Sequence, residues 1–333
     1  MKNLFVVILF CCLLGSCKSQ PPLVKKQLNG EAQGTYYAIT YFDEQERELQ
    51  HDVDSMFLLF DHSASLWDKN SLITRINNND TTVLPDDFFI QNFKLACEIA
   101  KKTDGYFDFT IGPLVKMWGF GLEKRAVVSS EMVVEKLKLV DYRKVHLING
   151  RIVKDNPEIL FDFNAIAQGF SVDFLAQFFL SKGIDRFIID VGGEIYANKT
   201  KPDGTPWMVG VEQPSREIED GRSIQQVVHL TDMGLATSGS YRNYYEENGK
   251  RFSHVIDVKT GYPVTHNLLS VTVLAKNASV ADGYCTAFLA MGIEKSLELL
   301  KTLPEIEAYF ISAEDSNSFE TFATDGFKKI IEE

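Results

Sequence analysis

Val145-His146-Leu147-Ile148-Asn149-Gly150-Arg151-Ile152-Val153-Lys154 sets two short β-rich runs on either side of Asn-Gly. A type I′ turn needs positive φ at both central residues, which Asn and Gly tolerate. Its twist suits an antiparallel hairpin. A hairpin in mid-chain argues against an unbroken series of βαβ crossovers, and the flanking segments agree. On the N-terminal side, residues 35–42 are β-branched and aromatic and predict a strand. Leu49, Val53, Met56, Phe57 and Phe60 recur at helical spacing. A second helix is expected over about 87–103, with Asp86 or Asp87 as its cap. Phe89, Ile90, Phe93, Cys97 and Ala100 would face inward, and Gly105 follows its end. On the C-terminal side a helix spans about 165–182 and stops at Gly183. Strands are expected at 186–190, 194–198, 207–212, 225–230 and 269–275, with a helix from about 279 to 291. A short helix and a closing strand at 308–311 end the domain. Strands outnumber helices and several are joined as hairpins. The expected class is therefore α+β (mixed α/β), with mixed sheets and flanking helices rather than a doubly wound parallel sheet. No linker is evident after Lys26, so residues 27–333 read as one compact unit of one or two lobes.

The chain has 333 residues, and 34 Lys and Arg stand against 46 Asp and Glu, for a formal net charge of -12. That balance, without a basic stripe, excludes nonspecific nucleic-acid binding, which needs cations along the phosphates. Met1-Lys2-Asn3 is a short positive start, and Leu4 to Leu14 is an apolar run too short to cross a bilayer comfortably. It ends in Leu14-Gly15-Ser16-Cys17, which resembles a bacterial lipobox. The expectation is a signal peptide over 1–16, a lipidated Cys17, and a polar tether over 17–26 containing Pro21-Pro22. A plain signal peptide with an incidental cysteine is the alternative. The first reading implies an exported protein anchored by lipid on Cys17 to a bacterial membrane, facing the periplasm or the outer side of the inner membrane. Cys97 and Cys285 sit in apolar helical patterns and read as buried thiols. No zinc spacing is present, and a disulfide between the two stays open.

Four segments offer chemistry. In Ser279-Val280-Ala281-Asp282-Gly283-Tyr284-Cys285-Thr286-Ala287, Asp282 and Thr286 are four apart and share a helix face. A carboxylate and a hydroxyl are hard oxygen donors, suited to Mg²⁺ rather than zinc. Asp162-Phe163-Asn164-Ala165-Ile166-Ala167-Gln168-Gly169-Phe170 joins a strand to a helix start, where backbone can approach a phosphate. Thr237-Ser238-Gly239, expected after a strand, presents hydroxyls and N–H groups to an anion. It is followed by His254-Val255-Ile256-Asp257, in which His254 is a candidate general base. Gly105-Tyr106-Phe107-Asp108-Phe109, running on to Trp118-Gly119-Phe120-Gly121, sets aromatic rings beside Gly and Asp, as a stacked ring system requires. Each segment alone also fits a structural role: a helix start, an N-cap, a satisfied histidine, an aromatic core corner.

Together, in order and across the mature chain, these segments resemble the ApbE family, the FAD:protein FMN transferases. The resemblance rests on Gly34-Thr35-Tyr36, Asp104 to Asp108 with Gly112-Pro113-Leu114, and Asp162 to Gly169. It continues through Asp190-Val191-Gly192-Gly193-Glu194, Ala236 to Gly239, His254 to Asp257 with Thr260-Gly261, and Ala281-Asp282-Gly283 with Thr286-Ala287. It implies a two-lobed domain with FAD between the lobes. It implies metal ligation by the Asp282 carboxylate, the Thr286 hydroxyl and the Ala165 carbonyl. It also implies a flavin site drawing on Gln33, Tyr106, Phe107, Asp108, Asp162, Gln168 and Ile256, with Thr237 and Ser238 beside it. Two positions depart from the pattern: Gln33 stands where the family commonly has Met, and Gln168 where it commonly has Lys.

The activity so implied is Mg²⁺-dependent transfer of FMN from FAD to a threonine hydroxyl of an acceptor protein, leaving AMP. Asp282 would serve the metal, His254 would be the base and Asp257 would orient it. The implied acceptors are exported flavoprotein subunits such as those of sodium-pumping NADH:quinone oxidoreductases. Water in place of threonine would make the chain an FAD pyrophosphatase. A chain that binds FAD without cleaving it would be a noncatalytic flavin-binding lipoprotein.

Overall fold

A computed structural model describes residues 22–120, 128–214, 223–241, 244–247, 250–314 and 318–332. The expected signal segment, Cys17 and Gly121 lie outside the described residues. Val24–Lys26, counted with the tether in the sequence reading, already belong to the first strand.

The chain opens with β1 (Val24–Ala32) and β2 (Thr35–Asp43), then α1 (Gln50–Ala64), α2 (Leu72–Asn77), α3 (Asp87–Lys102), α4 (Gly112–Trp118) and α5 (Ser130–Leu137). The hairpin of β3 (Val145–Ile148) and β4 (Arg151–Lys154) follows. Asn149 and Gly150 have φ of 50° and 75°, as the type I′ turn requires. Next come α6 (Ala167–Ser181), β5 (Phe187–Val191), β6 (Glu194–Asn198), β7 (Trp207–Glu212), β8 (Ile224–Leu230) and β9 (Met233–Gly239). Two small ladders follow, β10 (Tyr244–Glu247) with β11 (Lys250–Ser253) and β12 (Ile256–Asp257) with β13 (Tyr262–Pro263). The chain ends with β14 (Leu268–Ala275), α7 (Ala278–Met291), α8 (Ile293–Leu300), β15 (Glu307–Ala313), β16 (Phe319–Ala323) and α9 (Asp325–Lys328). Residues 308–311 therefore do not close the domain. β16 pairs with β15, and α9 follows it.

One sheet of order β1-β2-β5-β6-β9-β14-β15-β16 organises the molecule. Its class is α+β, and every neighbouring pair in it is antiparallel. Parallel contact among the described residues is confined to the isolated bridge between Ile111 and Leu160. Strand alternation divides the core between the two faces. Leu235, Leu274, Tyr309 and Ile311 point to one face and pack with the β7–β8 hairpin and Phe327 of α9. Ala236, Val271, Val273, Ala308 and Phe310 point to the other, against α3 and α7. Farther along that same face, Tyr37, Ile39, Phe187 and Ile189 pack with α1 and α6.

Helix α7 is apolar nearly all round, as a helix buried on every side must be. It lies on β9 and β14 and crosses α6. Two glycines permit this approach. A Cβ on Gly234 would fall 2.3 Å from the Ala278 nitrogen, and one on Gly169 would fall 2.6 Å from the Ala278 carbonyl oxygen.

Candidate active site

The crossing of α6 and α7 joins the first two chemical segments. Asp282 is 5% exposed, and its Oδ2 accepts the Gly169 N–H at 3.0 Å. Gly169 is the third residue of α6, so its N–H has no partner within that helix. The Ala165 carbonyl, one turn before it, accepts no hydrogen bond from the described residues. Burial raises the Asp282 carboxyl to about 7, against the pull of the Gly169 N–H, and the neighbouring Asp173 charge adds to the rise. One turn along α7, Thr286 Oγ1 lies 3.2 Å from Ser238 Oγ, which also contacts Cys285 Sγ at 2.9 Å. A desolvated carboxylate and two hydroxyls thus gather about one helix crossing, and the Ala165 carbonyl lies in the turn that leads into α6. All but the neighbouring thiol are hard oxygen donors, a set that fits Mg²⁺ or another hard divalent cation.

A second group borders the first turn of α6. Gln33 and Gly34 turn between β1 and β2 with φ of 54° and 75°. Ser171 of α6 donates to Gln33 Oε1 at 3.2 Å. A Cβ on Gly192, in the β5–β6 turn, would lie 2.7 Å from Thr35 Cγ2 and 3.4 Å from Gln168 Nε2. Gln33, Thr35, Gln168 and the Gly192-Gly193 turn therefore meet at one end of the sheet, beside the helix start. Asp162, just before that start, is 8% exposed, and burial raises its carboxyl. Its Oδ1 accepts the Asn164 N–H at 2.8 Å. The two faces of the Asn77 side-chain amide hold Phe161 at its N–H and its carbonyl (2.7 and 3.0 Å), which fixes where Asp162 begins.

The other expected residues are placed differently. Tyr106 lies between two ammonium groups: Lys295 donates to its hydroxyl at 2.6 Å, and Lys259 sits 5.3 Å from its ring centre. A cavity of about 260 Å³ runs along this segment, lined by Asp104, Gly105, Asp108, Tyr142 and Lys259. Phe107 is buried in the main core and is not available to stack on a ligand. The Asp108 carboxylate accepts Thr110 N, Thr110 Oγ1 and Tyr142 N at 2.7–2.9 Å, so it organises the loop around it. Thr237, Ser238 and Gly239 lie inside β9, not in a loop after it. Their alternation separates the two hydroxyls: Ser238 faces α7, while Thr237 bonds Thr272 (2.9 Å) on the opposite face of the sheet. The Thr237 hydroxyl therefore does not join Asp282.

Ile256 is buried with Leu114, Met117 and Trp118. Strand β12 lies against α7, which brings the 254–257 segment beside the Asp282 helix. His254 is half-buried, and its ring lies 6.4 Å from that of Phe120. Asp257 shapes the β12–β13 turn: its Oδ1 accepts Lys259 N at 2.8 Å and its carbonyl accepts Gly261 N at 2.7 Å. Sequence reasoning missed Asp173, Ser171 and Asn77. Only Asp173 carried a signal, as the one charged side chain in α6. Cys97 and Cys285 are free thiols, and burial raises both.

The ApbE family profile matches residues 33–310. A Haemophilus influenzae protein named FAD:protein FMN transferase is 32% identical over 100% of this chain and 99% of its own length. A Vibrio cholerae protein of the same name is 33% identical over 99% of both. Among solved structures, the flavin transferase ApbE from Vibrio cholerae superposes with a TM-score of 0.82 at 31% identity, over 93% of this chain and 100% of that one. The apo flavinyl transferase ApbE of Pseudomonas stutzeri gives 0.82 at 28% identity, over 93% and 97%. The class that fold and site define is therefore that of the flavin transferases. This chain belongs to the ApbE family.

Proposed function

We propose that this chain is a flavin transferase that takes FMN from FAD and joins it to a threonine hydroxyl of an acceptor protein, releasing AMP. Family membership supports flavin transfer from FAD. The observation that carries the finer reading is the buried Asp282 carboxylate at the α6–α7 crossing, with the Thr286 hydroxyl one turn away. Asp282, Thr286 and the Ala165 carbonyl would hold Mg²⁺. Mg²⁺ held there would supply positive charge to offset that of the FAD pyrophosphate.

The chain's own residues do the rest. The first turn of α6 offers the Gln168 N–H and the positive helix end to phosphate oxygens, its other N–H groups being bonded to Phe163, Asp282 and Ile166. Gln168 adds a neutral amide donor where the family commonly has a cation. Gln33 and Gly192 border the same end of the sheet and limit where the ligand can lie. His254 accepts the threonine proton as the new phosphorus–oxygen bond forms and the bond to AMP breaks. A lipid on Cys17 would hold the enzyme at the outer face of a membrane, near exported flavoprotein subunits.

Mass spectrometry of a threonine-bearing acceptor, incubated with this chain, FAD and Mg²⁺, tests the reading. The expected product carries one FMN on threonine, and Asp282→Ala lowers its rate by about 100-fold or more, as loss of a metal ligand should. AMP release with no modified threonine, or full labelling by Asp282→Ala, overturns it.

A further inference from the structure

Helix α7 does not cap itself. Its N-cap residue, Asn277, makes no side-chain capping bond. The cap comes from the middle of another helix. Asp173 of α6 accepts Ala278 N at 2.9 Å through Oδ1 and Ser279 N at 3.0 Å through Oδ2, and Ser279 Oγ also donates to Oδ2. The debt is returned four residues earlier on α6, where the Gly169 N–H reaches Asp282. Each helix therefore gives a carboxylate to the open N–H groups in the first turn of the other. Gly169 and Asp173 are four apart and lie on one face of α6. Because Gly169 has no side chain, the two backbones meet there without a spacer.

This arrangement sets the location of Asp282. An uncapped helix start frays, and Asp282 lies one turn past the two N–H groups that Asp173 holds. The Ala165 carbonyl and Gln168 lie on the α6 side of the same crossing. Their separation from Asp282 follows from how tightly the two helices are clasped. Both Asp173 oxygens act as acceptors here, one for each N–H. An amide in its place would turn a donor toward Ser279 N and leave that group unpaired.

We propose that Asp173 is a positioning residue for flavin transfer, and that its clasp on the first turn of α7 sets the affinity of the Asp282 site for a divalent cation. The inference rests on the flavin-transfer reading. Asp173 bonds the first turn of α7 and is not among the residues expected to hold the cation. Its loss should weaken cation binding more than it slows the chemical step, as losses in the layer behind a ligand do.

Mn²⁺ binding to the full chain, followed by the EPR signal of the free ion, tests this alongside the Mg²⁺ dependence of transfer. Asp173→Asn is expected to weaken Mn²⁺ binding about 10-fold or more and to raise the half-saturating Mg²⁺ by a similar factor, with a smaller fall in kcat. Ser279→Ala removes only the hydroxyl contact and should move both in the same direction, by about 2- to 5-fold. It also serves if Asp173→Asn fails to fold. Unchanged Mn²⁺ binding in the folded variants, or a fall in kcat with Mg²⁺ dependence untouched, overturns the assignment. Wild-type protein that binds Mn²⁺ tightly but does not transfer flavin overturns the flavin-transfer reading instead, and leaves the clasp to be judged by Mn²⁺ binding alone.

Discussion

At the scale of single residues, the same side chain serves stability or chemistry according to how many donors reach it. Asp43 and Asp282 are both almost fully buried carboxylates. Asp43 receives Arg47 through its backbone N–H, Nε and Nη2 at 2.8–2.9 Å, and the Gln45 N–H as well. The Arg47 side chain first, then the backbone N–H groups, hold the Asp43 carboxyl down at about 2 against the cost of burial. Arg47 also reaches the Lys182 carbonyl, so the pair fastens the end of β2 to the end of α6. A carboxyl held below its unfolded value of 3.8 stabilises fully above that pH and loses its contribution as pH falls from about 4 toward 2. Asp43→Asn should therefore cost about 2 kcal/mol at pH 7 and much less at pH 2.5. Urea titrations of both proteins at the two pH values check this, and an equal difference at each would refute it. Asp282, by contrast, receives one backbone N–H, and burial lifts its carboxyl toward neutrality. Such a group lowers the stability of the empty protein at neutral pH.

At the scale of elements, the α6–α7 crossing tolerates no added atom on the α6 side. A Cβ at position 169 would lie 2.6 Å from the Ala278 carbonyl oxygen and 2.8 Å from Asp282 Cβ. Gly169→Ala should therefore part the helices, at a cost of about 2–3 kcal/mol, and should lower transfer beyond what the stability loss explains. Gly283→Ala is the contrast, because its Cβ would meet the end of the Ile99 side chain, which can turn aside. Urea midpoints with transfer rates measured on both variants compare them, and similar losses in the two would mean that the crossing is not rigid. The elements best read from sequence were those whose pattern is local: the Asn149-Gly150 turn, the Asp86 cap of α3, the apolar spacing of α1 and the Gly183 stop after α6. Strand β1 was missed because it is an edge strand with polar outer residues, and Leu28 is the one side chain in it that is fully buried. Short helices such as α2, α4 and α5 show too few turns for a clear period, and tertiary packing stabilises them. The Asp282–Thr286 pairing was legible because it is a spacing within one helix. The Asp173 cap was not, because it joins residues more than a hundred positions apart.

At the scale of the whole molecule, chain order and sheet order diverge where the site forms. The N-terminal hairpin occupies one edge, β15 and β16 the other, and β6 and β9 meet in the middle. The site draws on that middle: Ser238 from β9, the Gly192-Gly193 turn before β6, and the starts of α6 and α7 packed over them. A ligand in the proposed site would meet elements from residue 33 to residue 286, so its binding would need the assembled fold. Binding to the native state alone must raise the unfolding temperature. At a free ligand concentration of about 100 Kd the gain is about 2.7 kcal/mol. With an unfolding entropy of about 2 cal/mol/K per residue, a chain of this length should melt about 4 °C higher. FAD and Mg²⁺ together should give that shift, while FAD with a chelator should give a smaller one, because the pyrophosphate then meets the Asp282 carboxylate without a cation between them. Differential scanning fluorimetry with FAD, Mg²⁺, both and neither separates the cases. If FAD raises the melting temperature equally with and without the cation, the dinucleotide binds away from the α6–α7 crossing, and the assignment of Asp282 to its phosphate bridge fails.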